Sequence, residues 1–133
     1  MTKRDLDSKI AQVKRYLVQA QGYSKVTLKQ LEQNDEKRLA IERALFLVAQ
    51  SGIDLAESYC RLKGFGRPSS MHESIDMLRE KGVISSKLCQ RLLMMVGFRN
   101  VLTHGYSKID YSKLIEVLRS GLKDIKEMLV TLS

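Results

Sequence analysis

Side chains capable of chemistry gather in residues 97–106, which are Gly-Phe-Arg-Asn-Val-Leu-Thr-His-Gly-Tyr. If this segment is helical, Asn100 and His104 lie four positions apart and project from one face. Arg99 precedes His104 by five positions, about 140° around an ideal helix. Its long side chain can still reach a phosphate held at that face, so we take the three residues as one candidate site.

These residue types suit cleavage of RNA without a metal ion. The reaction removes a proton from the 2′-hydroxyl, delivers another to the leaving oxygen and stabilises negative charge on the phosphoryl group. Histidine is the side chain most often used to transfer protons near neutral pH, so His104 can act as general base or acid. Arg99 can hold two phosphate oxygens through its planar fork, and Asn100 can position the phosphate or the imidazole. A symmetric dimer would supply a second histidine for the second proton transfer.

The segment ends in a turn and a tyrosine. Gly105 can adopt a left-handed conformation that turns the chain and brings Tyr106 back over the same site. From spacing alone, a structural role is the commoner one for such residues. His104 is then a helix cap or surface group, Asn100 a helix-surface amide, and Tyr106 an amphipathic residue that packs the end of a bundle.

No second site is predicted elsewhere. His72 is expected on the surface, and Glu42 and Asp54 are assigned no role. The histidines and cysteines are dispersed without the spacing of metal ligands, so neither a metal nor a cofactor is expected. Cys60 and Cys89 lie in apolar helical patterns and are predicted to be buried thiols without a disulfide.

Composition sets broader limits. The chain has 133 residues, with 23 Lys and Arg against 15 Asp and Glu and a formal charge of +8. This length predicts a single domain, residues 1–133. The charge favours a nucleic acid or an acidic protein as partner, although a solvated basic surface explains the scattered basic residues equally well. Apolar residues near the N-terminus are spaced, which predicts neither a signal peptide nor a membrane span and hence a cytoplasmic protein.

The elements that must position the site are helices. Apolar residues recur every three or four positions, which predicts an all-α, up-and-down bundle of four long helices plus one short helix. The helices are predicted from about Asp5 to Tyr23, from Asp35 to Lys63, from the Ser70 cap to about Lys81, from a cap at Ser85 or Ser86 to the turn at Gly105, and from the Asp110 cap onward.

Cap and stop signals bound these helices. Asn34 precedes two acidic residues, which suits an N-cap, and Ser70 with Glu73 fits a capping box. Glycines stop the second and third helices, and the six methionines are taken as core filler. The predicted core stripes include Leu39, Ile41, Leu45, Val48, Leu55 and Tyr59 on the second helix, Leu88, Leu92, Met95, Val96 and Leu102 on the fourth, and Tyr111, Leu114, Ile115, Leu118, Leu122, Ile125, Leu129 and Leu132 on the last.

The segment from Arg99 through His104 to Tyr106 is similar to the Arg-x4-His-x-Tyr motif of HepT toxins, a branch of the HEPN ribonuclease superfamily. Residues 42–45 and 53–56 of the second helix resemble the same family, as does the short helix before residues 82–84. The resemblance covers nearly the whole chain. It implies an all-α HEPN domain that forms a homodimer whose two motifs line one cleft.

That resemblance also implies a function. Arg99 and His104 would be catalytic, Asn100 supportive, and RNA (tRNA or mRNA) the substrate of a metal-independent endoribonuclease toxin. A cognate MntA-like nucleotidyltransferase antitoxin would transfer AMP from ATP onto Tyr106, within a larger hetero-oligomer in some arrangements. The alternative is a non-catalytic, nucleotide-binding or substrate-presenting helical partner of a nucleotidyltransferase, and a third reading is a purely structural dimerisation bundle.

Overall fold

The structure, a computed structural model, describes residues 2–104 and 109–133. These residues form helices joined by turns and contain no strand. The all-α prediction is therefore confirmed. The α-helices are α1 (Lys3–Gln21), α2 (Leu28–Gln33), α3 (Asp35–Leu62), α4 (Met71–Glu80), α5 (Ser86–Thr103), α6 (Tyr111–Glu116) and α7 (Leu122–Leu132). Among these residues, no helix combines the length and apolar character that a membrane crossing requires.

The predicted caps begin the helices as expected. The Asn34 side chain accepts the Lys37 N–H at 3.0 Å and starts α3. Ser85 caps α5, and Asp110 caps α6 by accepting the Ser112 N–H at 2.9 Å. Each cap satisfies an N–H that has no partner inside its helix. The first helix begins and ends two residues earlier than predicted, within the usual spread of such boundaries.

Ser70 caps α4 in a slightly different way from the predicted box. Its hydroxyl accepts the Glu73 N–H at 3.1 Å, but the Glu73 carboxylate returns to the hydroxyl and backbone N–H of Ser69. These bonds, that from the Ser69 side chain first, lower the pKa of Glu73 below its ordinary value. At the other end Gly82 has φ +73°, which terminates the helix as predicted.

One short helix was missed. No helix was predicted between the first two long helices, yet α2 forms there and buries Leu31 completely. Its cap is a full capping box, in which Thr27 accepts the Gln30 N–H at 3.2 Å and Gln30 accepts the Thr27 N–H at 3.0 Å. The Thr-x-x-Gln spacing that signals such a box is visible in the sequence.

The last helix is not continuous. A π-helical turn, Val117–Gly121, joins α6 to α7. At Gly121 a Cβ atom would lie 2.8 Å from the Met95 sulfur and 3.1 Å from a Val117 methyl, so α5 approaches the backbone closely here. Most of the predicted stripe is buried on both sides of this turn, while Tyr111 and Ile115 are half-buried.

The core surrounds α3, which packs against α1, α4, α5 and α7. Leu39 was predicted in its core stripe but is 58% exposed. It lies two positions from fully buried Ile41, about 200° around the helix, and therefore faces solvent. Leu102 is half-buried, and the methionines divide, since Met128 is fully buried and Met94 is 62% exposed. Treating every methionine as core filler was wrong because helix phase, not residue type, decides burial.

Both thiols are buried and free, as predicted. Cys60 donates to the Ser74 carbonyl oxygen at 3.6 Å, linking α3 to α4. Burial, with a smaller effect from Glu57, raises the pKa of Cys60 to about 11. Burial likewise raises the pKa of Cys89. These thiols therefore act as small apolar side chains.

Candidate active site

The candidate residues occupy the last turns of α5, at the end of the helix opposite the Ser85 cap. Arg99 and Asn100 are half-buried, and exposed His104 forms the C-cap. The facing surface belongs to α3, which contributes the half-buried side chains of Phe46 and Gln50. The site is thus assembled from two packed helices rather than from the motif alone.

Hydrogen bonds between side chains fix Arg99. Its Nε donates to Gln50 Oε1 at 2.9 Å, and one terminal nitrogen donates to Asn100 Oδ1 at 3.0 Å. Gln50 in turn donates from Nε2 to Asp54 Oδ1 at 3.0 Å, so its amide orientation is defined at both ends. The chain Asp54–Gln50–Arg99–Asn100 spans the two helices and holds the guanidinium in one orientation.

The guanidinium of Arg99 keeps donor capacity for a ligand. It uses one hydrogen on Nε and one on a terminal nitrogen, and its other N–H groups have no protein acceptor in residues 2–104 and 109–133. Both partners are neutral amides, so the positive charge is not compensated by them. Its Cζ lies 5.4 Å from the centre of the Phe46 ring, which packs against the planar group. The arrangement can bind an anionic oxygen such as that of a phosphate.

His104 follows Asn100 by one helical turn. Its backbone N–H donates to the Asn100 carbonyl at 3.1 Å, which closes the last turn of α5. The imidazole is exposed, and it makes no hydrogen bond with another side chain of the described segments. Carbonyl groups at a helix C-terminus favour a cation nearby. An exposed imidazole in this position is available for proton transfer.

The structure brings Arg99 and Asn100 into direct contact and places His104 one turn further on. Tyr106 lies outside the described residues, so its position relative to them stays a prediction. His72 is exposed, as predicted. No group of three or more histidine, cysteine, aspartate or glutamate side chains within residues 2–104 and 109–133 is arranged to hold a metal ion.

Glu42 and Asp54 behave differently from each other. Glu42 lies 3.7 Å from Arg38, whose guanidinium also donates to the Tyr111 hydroxyl at 3.1 Å and so links α3 to α6. Asp54 belongs to the hydrogen-bond chain that ends on Arg99. The sequence assigned Asp54 no role, and the structure places it in contact with the amide that binds Arg99.

Sequence reasoning also missed Arg43, Phe46 and Gln50. They recur at steps of three and four on α3, so they share one helix face. The Arg43 Cζ lies 5.2 Å from the centre of the Phe46 ring that Arg99 also contacts. Their i, i+3, i+7 spacing was the available signal, but that spacing alone does not show which helix they face.

Comparison with known proteins decides the family. The chain matches the Ribonuclease HepT-like family over residues 8–132. It belongs to that family. The resemblance drawn from the Arg-x4-His-x-Tyr segment is thereby confirmed at the level of the family.

Two characterised relatives of this HepT-like chain are nucleases by name. It is 29% identical over 77 residues to the mRNA nuclease HepT of Shewanella oneidensis, a match that covers 58% of each chain. The matched region is therefore less than two thirds of that relative. It is 22% identical over 118 residues to the tRNA nuclease HepT of Aphanizomenon flos-aquae, covering 89% of this chain and 80% of the relative.

Solved structures share the fold of the HepT-like chain. The tri-AMPylated Shewanella oneidensis HEPN toxin, solved in complex with MNT antitoxin, superposes with a TM-score of 0.85 at 24% identity and covers 98% of this chain and 97% of its own. A toxin–antitoxin structure with AMP-PNP gives a TM-score of 0.86 at 23% identity over the full length of both chains. At these identities the likeness establishes the HEPN fold.

Proposed function

We propose that this chain is a metal-independent endoribonuclease toxin in which Arg99 and His104 are catalytic and Asn100 supports them. The observation that carries the proposal is a half-buried guanidinium, held by neutral amides, with an exposed histidine five residues further along the same helix end. Membership of the HepT-like family supports the reaction class. The names of the two nuclease relatives favour tRNA or mRNA as substrate. A cytoplasmic location and a single domain over residues 1–133 belong to the same proposal.

The chemistry proceeds at one phosphodiester. A base removes the proton of the 2′-hydroxyl, the 2′-oxygen bonds to phosphorus, and the bond from phosphorus to the 5′-oxygen breaks as that oxygen takes a proton. Arg99 binds the non-bridging oxygens, where negative charge increases in the transition state. His104 performs one proton transfer, and Asn100 holds Arg99 in place. The second proton transfer falls to His104 of a second copy.

An exposed stripe on α5 supports that homodimer. Met94 and Val101 are 62% and 46% exposed, and between them Gly97 leaves open space where a Cβ would lie. The three residues share one helix face by their spacing of three and four. A glycine on that face allows two helices to approach closely. Pairing of α5 with α5 about a two-fold axis would bring two motifs into one cleft.

We further propose Tyr106 as the site of AMP transfer by an MntA-like nucleotidyltransferase antitoxin. The support is the fold shared with a toxin that is itself AMPylated and bound to MNT antitoxin. AMP groups two residues from His104 would fill the cleft and repel RNA phosphates. The toxin and antitoxin would then assemble as a hetero-oligomer built on the toxin dimer.

The nuclease proposal is tested with purified protein, tRNA and mRNA in excess EDTA. Arg99→Ala and His104→Ala should each lose roughly 10²–10⁴-fold of the cleavage rate, the range typical of general acid–base catalysis. His72→Ala, which removes the other, exposed histidine, is the matched control and should cleave like wild type. Equal cleavage by all four proteins would place the activity elsewhere. RNA left intact by wild type, with no growth arrest on expression, would favour the non-catalytic partner.

Tyr106 is tested separately by mass spectrometry after incubation with a cognate MntA-like nucleotidyltransferase and ATP. We expect added AMP in wild type and in the control Tyr23→Phe, and none in Tyr106→Phe. An adduct that persists in Tyr106→Phe would contradict the assignment.

A further inference from the structure

Two arginines from different helices contact one aromatic ring beside the candidate site. Arg99 on α5 and Arg43 on α3 place their Cζ atoms 5.4 Å and 5.2 Å from the centre of the Phe46 ring. Both distances fall within the range of a cation–π contact. The ring is half-buried and Arg43 is exposed. Phe46 therefore contacts both guanidinium groups at the edge of the site.

This pair of cations lacks the carboxylate partner that some of the described arginines have, although Arg15 and Arg119 also form no such ion pair. Arg38, Arg79 and Arg91 each form ion pairs with carboxylates on the surface. Neither Arg43 nor Arg99 forms one with any carboxylate of residues 2–104 and 109–133. Two cations around one ring, with no carboxylate paired to either, raise the local positive potential. Such a surface favours the binding of an anion such as phosphate.

The groups that fix Arg99 preserve this unbalanced charge. Gln50, rather than a glutamate, accepts from Arg99 Nε, and the carboxylate in this hydrogen-bond chain, Asp54, contacts Gln50 instead. The carboxylate thus orients the amide without neutralising the guanidinium. The surface around Arg99 and Arg43 is therefore positively charged, on a chain whose net charge is +8.

We propose that Arg43 is a second phosphate-binding residue, held by Phe46 so that it contacts an RNA phosphate next to the one bound by Arg99. This inference rests on the proposed ribonuclease function and extends its site from α5 onto α3. Arg43 is a binding residue in this scheme and takes no part in proton transfer. Its contact is electrostatic and independent of base sequence.

The experiment measures the binding of unfractionated tRNA as a function of salt in a His104→Ala background, which keeps the RNA intact. Arg43→Gln removes the charge and retains a long side chain. Arg15→Gln is the matched control, because Arg15 is also exposed and also lies over a ring, that of Tyr16 on α1 at 5.1 Å. Both changes lower the net charge equally. Phe46→Leu tests the ring while leaving both arginines in place.

Loss of one phosphate contact should reduce the slope of log affinity against log salt by about 0.7–0.9. Arg43→Gln should also weaken binding by about tenfold at moderate salt, as expected for a hydrogen bond to a charged group. Phe46→Leu should weaken binding in the same direction, and Arg15→Gln should change neither quantity.

If Arg43→Gln and Arg15→Gln have the same slope and affinity as the background, Arg43 binds no phosphate and this inference fails alone. If neither the background nor wild type binds RNA, and wild type cleaves none, the ribonuclease proposal fails and takes this inference with it.

Discussion

At the scale of single residues, the site depends on the neutral partners of Arg99, none of which is a carboxylate in the part of the chain that the structure describes. A carboxylate beside it would form an ion pair and compete with a phosphate for the same N–H groups. Gln50 instead supplies a neutral oxygen at 2.9 Å, and Asn100 supplies another at 3.0 Å. The guanidinium is thereby oriented while its charge stays available for substrate.

The neutral contacts of Arg99 make the charge at position 50 important for substrate binding. Gln50→Glu keeps the size of the side chain but places a negative charge on Arg99, so KM for RNA should rise by about tenfold or more. The free energy of unfolding should change less, because a carboxylate at position 50 loses the hydrogen bond to Asp54 and repels it but gains an ion pair with Arg99. Steady-state cleavage and urea unfolding measure the two effects. Gln33→Glu, on an exposed position of α2, controls for the added charge.

A positioning role for Gln50 would be contradicted if Gln50→Glu and Gln33→Glu had equal KM values. Gln50→Leu provides a second measurement, since it removes the acceptor without adding charge. It should lower kcat more than it raises KM, because Arg99 would keep its charge but lose its orientation.

At the scale of secondary structure, two glycines on adjacent helices have opposite surroundings. A Cβ at Gly97 meets nothing within 4 Å, whereas a Cβ at Gly121 would lie 2.8 Å from the Met95 sulfur inside the core. Gly97 lowers the stability of its helix, and no close contact within the described residues explains why a glycine is needed there. Gly121 permits α5 to pack against the π-helical turn.

The same substitution should therefore act in opposite directions at the two positions. Gly97→Ala should raise the free energy of unfolding of the monomer by about 0.5–1 kcal/mol, the difference in helix propensity. Gly121→Ala should be less stable than Gly97→Ala by about 1–3 kcal/mol, the usual cost of overpacking a core. Urea denaturation followed by circular dichroism measures both. Equal stabilisation by the two changes would mean that Met95 and Val117 move aside freely.

Most of this architecture could be predicted from local patterns. The caps at Asn34, Ser85 and Asp110 are short-range signals, and the helices begin where those signals stand. The exposure of Leu39 and the π turn at Gly121 could not be found the same way. They depend on the phase of one helix against its neighbours, which no short window of sequence contains.

Only part of the candidate site could be predicted from the sequence. Arg99, Asn100 and His104 could be selected because their types and spacing within one segment suit the chemistry. Gln50 was not selected, because it lies 49 positions from Arg99 and contacts it only through the packing of α3 on α5. A family resemblance identifies the residues of a sequence motif, but a contact between two helices can be identified only when the fold is known.

At the scale of the whole molecule, the proposed reaction needs two copies of the chain. One motif supplies one histidine, and the stripe of Met94, Gly97 and Val101 is the exposed face of α5 next to that motif. An assembly through this face would bury the stripe and join the two sites. The dimer is thus proposed as part of the active site, rather than as an independent property.

Gly97→Gln tests this assembly because it adds a bulky polar side chain where the monomer has open space. We expect sedimentation equilibrium to show a shift from dimer to monomer, with cleavage lost in parallel while the monomer remains folded. Val18→Gln changes an exposed residue on α1 that is 69% accessible and should leave both properties unchanged. A Gly97→Gln protein that stays dimeric would show that the stripe is not the dimer interface. A monomer with full activity would show that catalysis does not need the dimer.

The buried thiols allow the opening of the native chain to be timed. Cys60 is completely enclosed, and its pKa of about 11 leaves little of the reactive thiolate at neutral pH. An alkylating reagent can modify it only when the helices around it separate. The rate of alkylation therefore reports how often the helices around Cys60 separate. A tightly bound antitoxin or nucleotide should lower this rate without contacting either cysteine.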